Sequence, residues 1–146
     1  MKPEIVFLTV WVIGVVITWP ALIWFAVNSR RGQGEPLMPK PPASARYADT
    51  RASGKQKGKW GGASNCLMVV IDGGELWLSP IFPITLFMPY GTFGLEFRKP
   101  LAVVRAEARR DWTGMNVRLR LTDMDNPVVV DLRVSDPAKF ISALQV

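Results

Sequence analysis

The chain has 146 residues, 49% of them hydrophobic, and a formal net charge of +6. It contains no histidine, which removes the commonest general base and the commonest metal ligand. Its single cysteine allows no internal disulfide, and one cysteine without histidine excludes the familiar zinc and haem sites. We therefore expect neither an enzyme nor a resident cofactor or metal.

An uncharged apolar stretch over residues 5–27, IVFLTVWVIGVVITWPALIWFAV, predicts a helix that spans a membrane. At 1.5 Å per residue such a helix is about 34 Å long, against a hydrocarbon core of about 30 Å. A cleaved signal peptide is the alternative, but its apolar region would be shorter and small residues would mark a cleavage site. Here the stretch runs into Asn28, Ser29, Arg30 and Arg31, so we expect an uncleaved anchor over residues 1–29.

Two features of this helix suggest a neighbouring helix. Gly14, Thr18 and Ala21 form a stripe of small residues at positions i, i+4 and i+7, which allows close helix packing. Trp11 and Trp19 lie well inside the span, where an indole N–H lacks water. These five residues are the predicted helix-packing set; the alternative is that they simply face lipid.

A Gly-, Pro-, Ser- and Ala-rich segment without apolar periodicity predicts a flexible basic linker over residues 30–60. Its eight basic residues against Glu35 and Asp49 give 8 − 2 = +6, the entire net charge. Such a strip could bind anionic lipid, bind an acidic partner, or only enforce a cytoplasmic location. Because the rest of the chain is neutral, nucleic-acid binding is not expected. The candidate contacts are Arg30, Arg31, Lys40, Arg46, Arg51, Lys55, Lys57 and Lys59.

Short apolar runs between turn signals predict a mainly β domain over residues 61–146. We expect strands at residues 65–71, 75–79, 93–97, 101–110, 115–122 and 128–134. Three prolines make residues 80–90 a poor central strand. A terminal helix should begin at Ser135 or Asp136 as N-cap, with Pro137 in its first turn. Its apolar face would be Phe140, Ile141 and Leu144.

The hairpin around residues 111–114 can be predicted in register. A four-residue loop places small residues opposite large ones on one face, as a packed layer requires. The other face would be rich in arginine, either solvated or available to an acidic partner. The buried pairs would be Ala108 with Val117, Ala106 with Leu119 and Val104 with Leu121. The polar face would carry Arg105, Glu107, Arg118 and Arg120, with Glu107 opposite Arg118.

Six or seven antiparallel strands closed by one C-terminal helix resemble the pleckstrin-homology-like (PH-like) superfold. More specifically, residues 73–108 resemble small bacterial PH-like domain proteins through Gly74 to Leu78, Phe82-Pro83, Lys99-Pro100-Leu101 and Val103-Val104, and DPAKFISAL resembles their terminal helix. Lys99 departs from the apolar residue usual before the proline. The resemblance implies no particular activity. It does not imply phosphoinositide binding, because the Asp72-Gly73-Gly74 turn would repel phosphate.

The remaining chemistry-bearing residues have structural explanations. Cys66 lies in an apolar strand and is expected in the core. Asp123 and Asp125 lie in a turn that favours aspartate locally and lacks the oxygen ligands calcium needs. Residues 80–90 are apolar and expected to be partly buried; Phe82, Phe87, Met88 and Tyr90 form a possible partner-binding patch.

The sequence thus predicts a non-enzymatic, single-pass protein of a bacterial inner membrane, with its N-terminus outside and its domain cytoplasmic. The expected function is that of an accessory subunit or assembly factor of a larger membrane complex, of respiratory or photosynthetic type by analogy. The expected partners are membrane lipids and other membrane subunits, with no small-molecule substrate. The alternative is a free-standing surface module that binds anionic lipid through its basic linker.

Overall fold

The computed structural model describes residues 2–112, 114–123 and 125–145, so Thr113 of the predicted 111–114 turn lies outside the described residues. A 30-residue helix, α1 (Pro3–Gly32), contains the whole predicted apolar stretch. Among the described residues α1 alone is long and apolar enough to cross a membrane, a property that a membrane anchor shares with an N-terminal signal sequence.

The rest of the described chain forms one seven-stranded antiparallel sheet with a C-terminal helix, as predicted. The elements are β1 (Tyr47–Gln56), β2 (Ala63–Asp72), β3 (Glu75–Pro80), α2 (Ile84–Phe87), β4 (Phe97–Pro100), β5 (Val104–Asp111), β6 (Gly114–Leu121), β7 (Val128–Arg133) and α3 (Pro137–Leu144). The strand order is β4-β3-β2-β1-β7-β6-β5, so a four-strand meander and a three-strand meander meet at β1 and β7. A single turn of helix, α2, interrupts the connection between β3 and β4.

The register of the β5–β6 hairpin is confirmed. Ala108 faces Val117, Ala106 faces Leu119 and Val104 faces Leu121. The side chains of Val104, Val117, Leu119 and Leu121 are buried in the core, and Glu107 lies opposite Arg118 on the other face. Ala106 is only half-buried and Ala108 is exposed, so the expected burial is wrong for Ala108, near the hairpin turn. The alternation of large apolar and charged residues fixed this register, because a slip of one residue would exchange the two faces.

The structure differs from the predicted linker over residues 30–60, because β1 lies in its second half. This strand is central, between β2 and β7, and it owes its small residues to close packing. A Cβ at Gly54 would lie 2.9 Å from Leu132 Cδ2 and 3.0 Å from Leu67 Cδ2. Ala52 is fully buried beside them. The glycine and alanine that suggest a flexible segment are therefore the residues that this core position requires.

The connection from β3 to β4 also differs from the prediction. A strand was expected over residues 93–97, but β4 begins only at Phe97, and residues 101–103 form a 3-10 turn rather than the start of β5. Gly91 and Gly94 adopt φ of 76° and 65°, which extended strands do not allow. Together with the prolines, these glycines turn residues 81–96 into a long loop that carries α2.

Helix α3 closes the core. The Asp136 side chain accepts a hydrogen bond from the Lys139 backbone N–H at 3.0 Å, so Asp136 is the N-cap. Phe140 is fully buried, and its ring meets that of Tyr47 edge-on at 5.2 Å. Ile141 and Leu144 pack against the same core, which confirms the predicted apolar face.

Candidate functional site at the junction of helix and domain

The last turn of α1 is built into the β domain through Arg30. This side chain is fully buried, and its guanidinium forms an ion pair with Glu96, which is 5% exposed. Its Nε also donates to the Thr85 carbonyl at 2.9 Å, and a second nitrogen donates to the Met88 carbonyl at 3.2 Å. The predicted contact of Arg30 with lipid or an acidic partner is therefore replaced by a contact within the chain.

A second set of hydrogen bonds holds the loop around this ion pair. The other carboxylate oxygen of Glu96 accepts from the Gly91 backbone N–H at 2.9 Å. The Tyr90 backbone N–H donates to Ser29 Oγ at 3.3 Å, and Thr85 Oγ1 donates to the Leu37 carbonyl at 2.6 Å. These bonds join α1, the segment after it and the 81–96 loop in one polar cluster.

Burial raises the pKa of the Tyr90 hydroxyl above its usual value, and the carboxylates of Glu35 and Glu96 raise it further. The hydroxyl donates to the Glu96 carbonyl at 3.4 Å. Tyr90 therefore stays neutral at physiological pH and acts here as a hydrogen-bond donor that closes the loop over the ion pair.

An apolar contact lies further along α1. The Trp19 and Phe87 rings meet edge-on with centroids 5.5 Å apart. Ala26, on the same face of α1, is fully buried. Of the predicted patch, Met88 and Tyr90 are half-buried in the junction, whereas Phe82 and Phe87 remain 45% and 41% exposed. This agrees with the partial burial expected for residues 80–90.

Sequence reasoning missed the junction, although two signals of it exist. Trp19, Ile23, Ala26 and Arg30 follow the i, i+4, i+7, i+11 spacing of one helix face, which would include an arginine in a packed stripe. Glu96 is the one acidic residue between Glu75 and Glu107, in an otherwise apolar and glycine-rich stretch. A lone carboxylate in such surroundings needs a cation when it is buried.

Four of the five predicted helix-packing residues line one shallow groove on α1. Trp11 and Trp19 flank Gly14 and Thr18 there, together with Val15. A Cβ on Gly14 would meet nothing within 4 Å, so the groove is open on this chain. Ala21 does not line the groove and is exposed.

Seven of the eight predicted basic contacts are exposed, all except Arg30. Arg51 and Lys55 lie on β1, and Lys57 and Lys59 lie in the tight loop that follows it. Trp60, in the same loop, is 96% exposed. The sheet, rather than a flexible linker, thus positions these four cations.

The arginine-rich sheet face is partly neutralised within the chain. Arg118 Nε and its neighbouring nitrogen donate to the two Asp131 carboxylate oxygens at 2.7 and 3.0 Å. This hydrogen-bonded pairing holds the pKa of Asp131 below its usual value. Arg120 lies 3.7 Å from Glu107. The pairing favours a solvated face over an acidic docking site.

Within the described residues, no group of three or more His, Cys, Asp or Glu side chains could hold a metal ion. Cys66 is half-buried and packs against the core. Comparison with protein-family models, with curated proteins and with solved structures finds no match for this chain. The fold and the junction together define a mainly β domain that packs against the end of one candidate membrane-spanning helix through the buried Arg30–Glu96 pair.

Proposed function

We propose that the chain is a non-enzymatic, single-pass membrane protein that serves as an accessory subunit or assembly factor of a larger bacterial membrane complex. The observation that carries this proposal is the groove on α1, where Trp11 and Trp19 flank Gly14 and are 60% and 50% exposed. Indole N–H groups in mid-span lack water, and small residues between them let a second helix approach closely. A helix of another subunit would cover this face.

The junction supports an uncleaved anchor over a signal sequence. Cleavage after the apolar stretch would remove Ala26 from the domain's surface, and cleavage beyond Arg30 would leave Glu96 buried without its cation. The exposed cations that follow α1 support a cytoplasmic domain and an outer N-terminus. The seven antiparallel strands and the closing helix α3 support a PH-like domain.

The test is a gentle native purification of the tagged chain from its own membrane, with mass spectrometry of the proteins that accompany it. We expect a stoichiometric set of membrane subunits. Gly14→Leu should release them, because the leucine side chain fills the groove, while its Cβ would meet no atom of this chain within 4 Å. The matched control is Val16→Leu, about 160° around the helix from Gly14 and 63% exposed.

Two results would contradict the proposal. One is a chain that purifies alone from mild detergent and from native nanodiscs. The other is a set of partners that both leucine variants retain, since the groove would then not be the contact.

The second candidate is a surface module that binds anionic lipid, favoured by the exposed cations of the β1–β2 loop beside Trp60. The full chain in nanodiscs of mixed neutral and anionic lipid should then retain anionic lipid, less so at high salt. Lys57→Gln with Lys59→Gln should reduce this enrichment, whereas Arg109→Gln with Arg110→Gln, two exposed cations of β5, should not. Equal enrichment in both double variants would contradict it.

A further inference from the structure

We propose that residues 81–87, which include α2, lie in the acyl-chain region of the bilayer beside α1, so that the domain holds the membrane at a second point. This inference rests on the proposed membrane-spanning role of α1. The partner is the lipid itself rather than another protein. Four observations carry the inference: depth, exposure, backbone satisfaction and the position of the charged groups.

The ring contact with α1 fixes the depth. Trp19 lies nine residues before Asn28, where the apolar stretch ends. At 1.5 Å per residue, Trp19 is thus about 14 Å inside that end of the helix. Phe87 meets the Trp19 ring with centroids 5.5 Å apart. Even with the reach of both side chains, Phe87 lies roughly 10 Å below the boundary, the depth at which interfacial segments rest.

The exposed side of the segment is apolar. Phe82 is 45% and Phe87 41% exposed, and Ile81 and Ile84 are half-exposed. Residues 80–90 contain no charged side chain. In water such a patch would be costly, whereas lipid beside α1 would cover it at no cost in desolvated polar groups. The patch adjoins the lipid-facing surface of α1, so the same bilayer reaches both.

The backbone of the segment is partly paired within the chain, which reduces its need for the hydrogen-bond partners that lipid lacks. Pro80, Pro83 and Pro89 carry no backbone N–H. The N–H groups of Ile81, Thr85, Leu86 and Met88 donate to carbonyls of this chain at 2.9 to 3.3 Å. The Thr85 carbonyl in turn accepts from Arg30. The three prolines thus reduce the number of unpaired donors, and the N–H groups of Phe82 and Ile84, for which the described residues provide no acceptor, require the segment to stay within reach of interfacial water.

The charged groups mark the boundary. Arg30 and Glu96 pair at the end of α1, just beyond the apolar stretch, where headgroups and water begin. Glu75, at the other end of β3 from Pro80, lies about 17 Å away along the strand. Because Asp72 and Glu75 are charged, we expect the β2–β3 turn to lie in water, outside the acyl-chain region.

The experiment measures depth with an environment-sensitive fluorophore on the full chain in phosphatidylcholine and phosphatidylglycerol nanodiscs. A Cys66→Ser background receives a single label through Phe82→Cys. Leu22→Cys, 45% exposed on α1, reports the span, and Glu75→Cys reports the far end of the domain. Lipids with a spin label on the acyl chain act as quenchers. A circular dichroism spectrum of each labelled chain confirms its β-sheet content, and Phe87→Cys provides a second label in the segment.

We expect the labels at Phe82 and Phe87 to lose fluorescence to the same extent as the label at Leu22, and the label at Glu75 to keep it. Quenching at Leu22 without quenching at Phe82 and Phe87 would overturn the inference while leaving the anchor intact; a covering protein would give this result. A loss of quenching at Leu22 as well would mean that α1 is not in the bilayer, and the proposed function would fail with the inference.

Discussion

Arg30 and Arg31 are adjacent and chemically identical, yet one is fully buried and the other is exposed. The helix separates them by about 100°, so Arg30 alone shares a face with Ala26 and Trp19. Charge counting treats the two arginines alike. Helix geometry distinguishes them, because the face that packs against the domain includes position 30 and not position 31.

Removal of the Glu96 carboxylate should destabilise the protein strongly. Glu96→Ala leaves the Arg30 guanidinium buried with only the Thr85 and Met88 carbonyls as acceptors. Breaking a buried ion pair from one side costs about 3–5 kcal/mol, and the two carbonyls favour the lower end. Urea unfolding of the protein in detergent, followed by circular dichroism, measures this cost.

The control for that variant is Glu107→Ala. Glu107 lies 3.7 Å from Arg120, and both side chains are more than half exposed. Exposed pairs contribute about 0–1 kcal/mol, so this variant should unfold close to the parent. Equal costs for Glu96→Ala and Glu107→Ala would mean that the junction does not contribute to stability as the burial of Arg30 indicates.

The Arg118–Asp131 pair should make stability depend on acid. Because Arg118 lowers the pKa of Asp131 in the folded protein, the unfolded chain binds this proton more readily. The stabilisation is complete above the unfolded value of about 3.9 and is lost as the pH falls through the lower folded value. Asp131→Asn should thus be less stable than the parent at pH 7, and the difference should shrink below about pH 4.

Arg118→Gln provides the check on that pH dependence. Since both substitutions remove one shared interaction, each should flatten the same acid limb of the unfolding curve. A difference between Asp131→Asn and the parent that stays constant from pH 7 to pH 3 would contradict the assignment.

At the scale of elements, the sequence predicts the strands best where large apolar and charged residues alternate. The β5–β6 register follows from residues 104–121 alone. The prediction from sequence fails at β1, where Ala52 and Gly54 pack under Leu67 and Leu132. Small residues carry no periodicity signal, so only the neighbouring strands, which are distant in sequence, reveal that this segment is central.

The contrast between β1 and the segment before it can be measured by hydrogen exchange. Amides of Tyr47–Gln56 should be protected to a degree similar to those of β2, because the strand pairs with β2 and with β7. The backbone amides of residues 36–44, a Pro-rich stretch that lies outside helices and strands, should exchange much faster. Uniformly fast exchange from residue 33 to residue 60 would restore the flexible-linker interpretation.

The same limit applies to the candidate site. Sequence patterns locate the groove residues Trp11, Gly14, Thr18 and Trp19, because helix periodicity is local. They do not locate the pairing of Arg30 with Glu96, which joins residues 66 positions apart. That contact depends on the path of the 81–96 loop, and no local pattern encodes this path.

For the whole molecule, the junction implies a fixed angle between α1 and the sheet. Spin labels on Asn28→Cys and Glu75→Cys in a Cys66→Ser background, both at exposed positions, should give one narrow distance distribution by pulsed electron paramagnetic resonance. Adding Glu96→Ala should broaden it, because the pair that joins helix and loop is lost. A broad distribution in the parent would mean that the domain moves independently of the helix.

If α1 spans the membrane as proposed, the attachment at Arg30 also ties the domain to the thickness of the bilayer. An apolar stretch of about 34 Å in a hydrocarbon core of about 30 Å is accommodated by a tilt of roughly 30°. A helix that was not attached to the domain could change this tilt without changing the orientation of the sheet. With Arg30 held by Glu96 and the carbonyls of the 81–96 loop, every degree of tilt turns the sheet by the same angle. Thinning of the membrane would thus rotate the domain relative to the membrane plane, by an angle set by the length of the lipids.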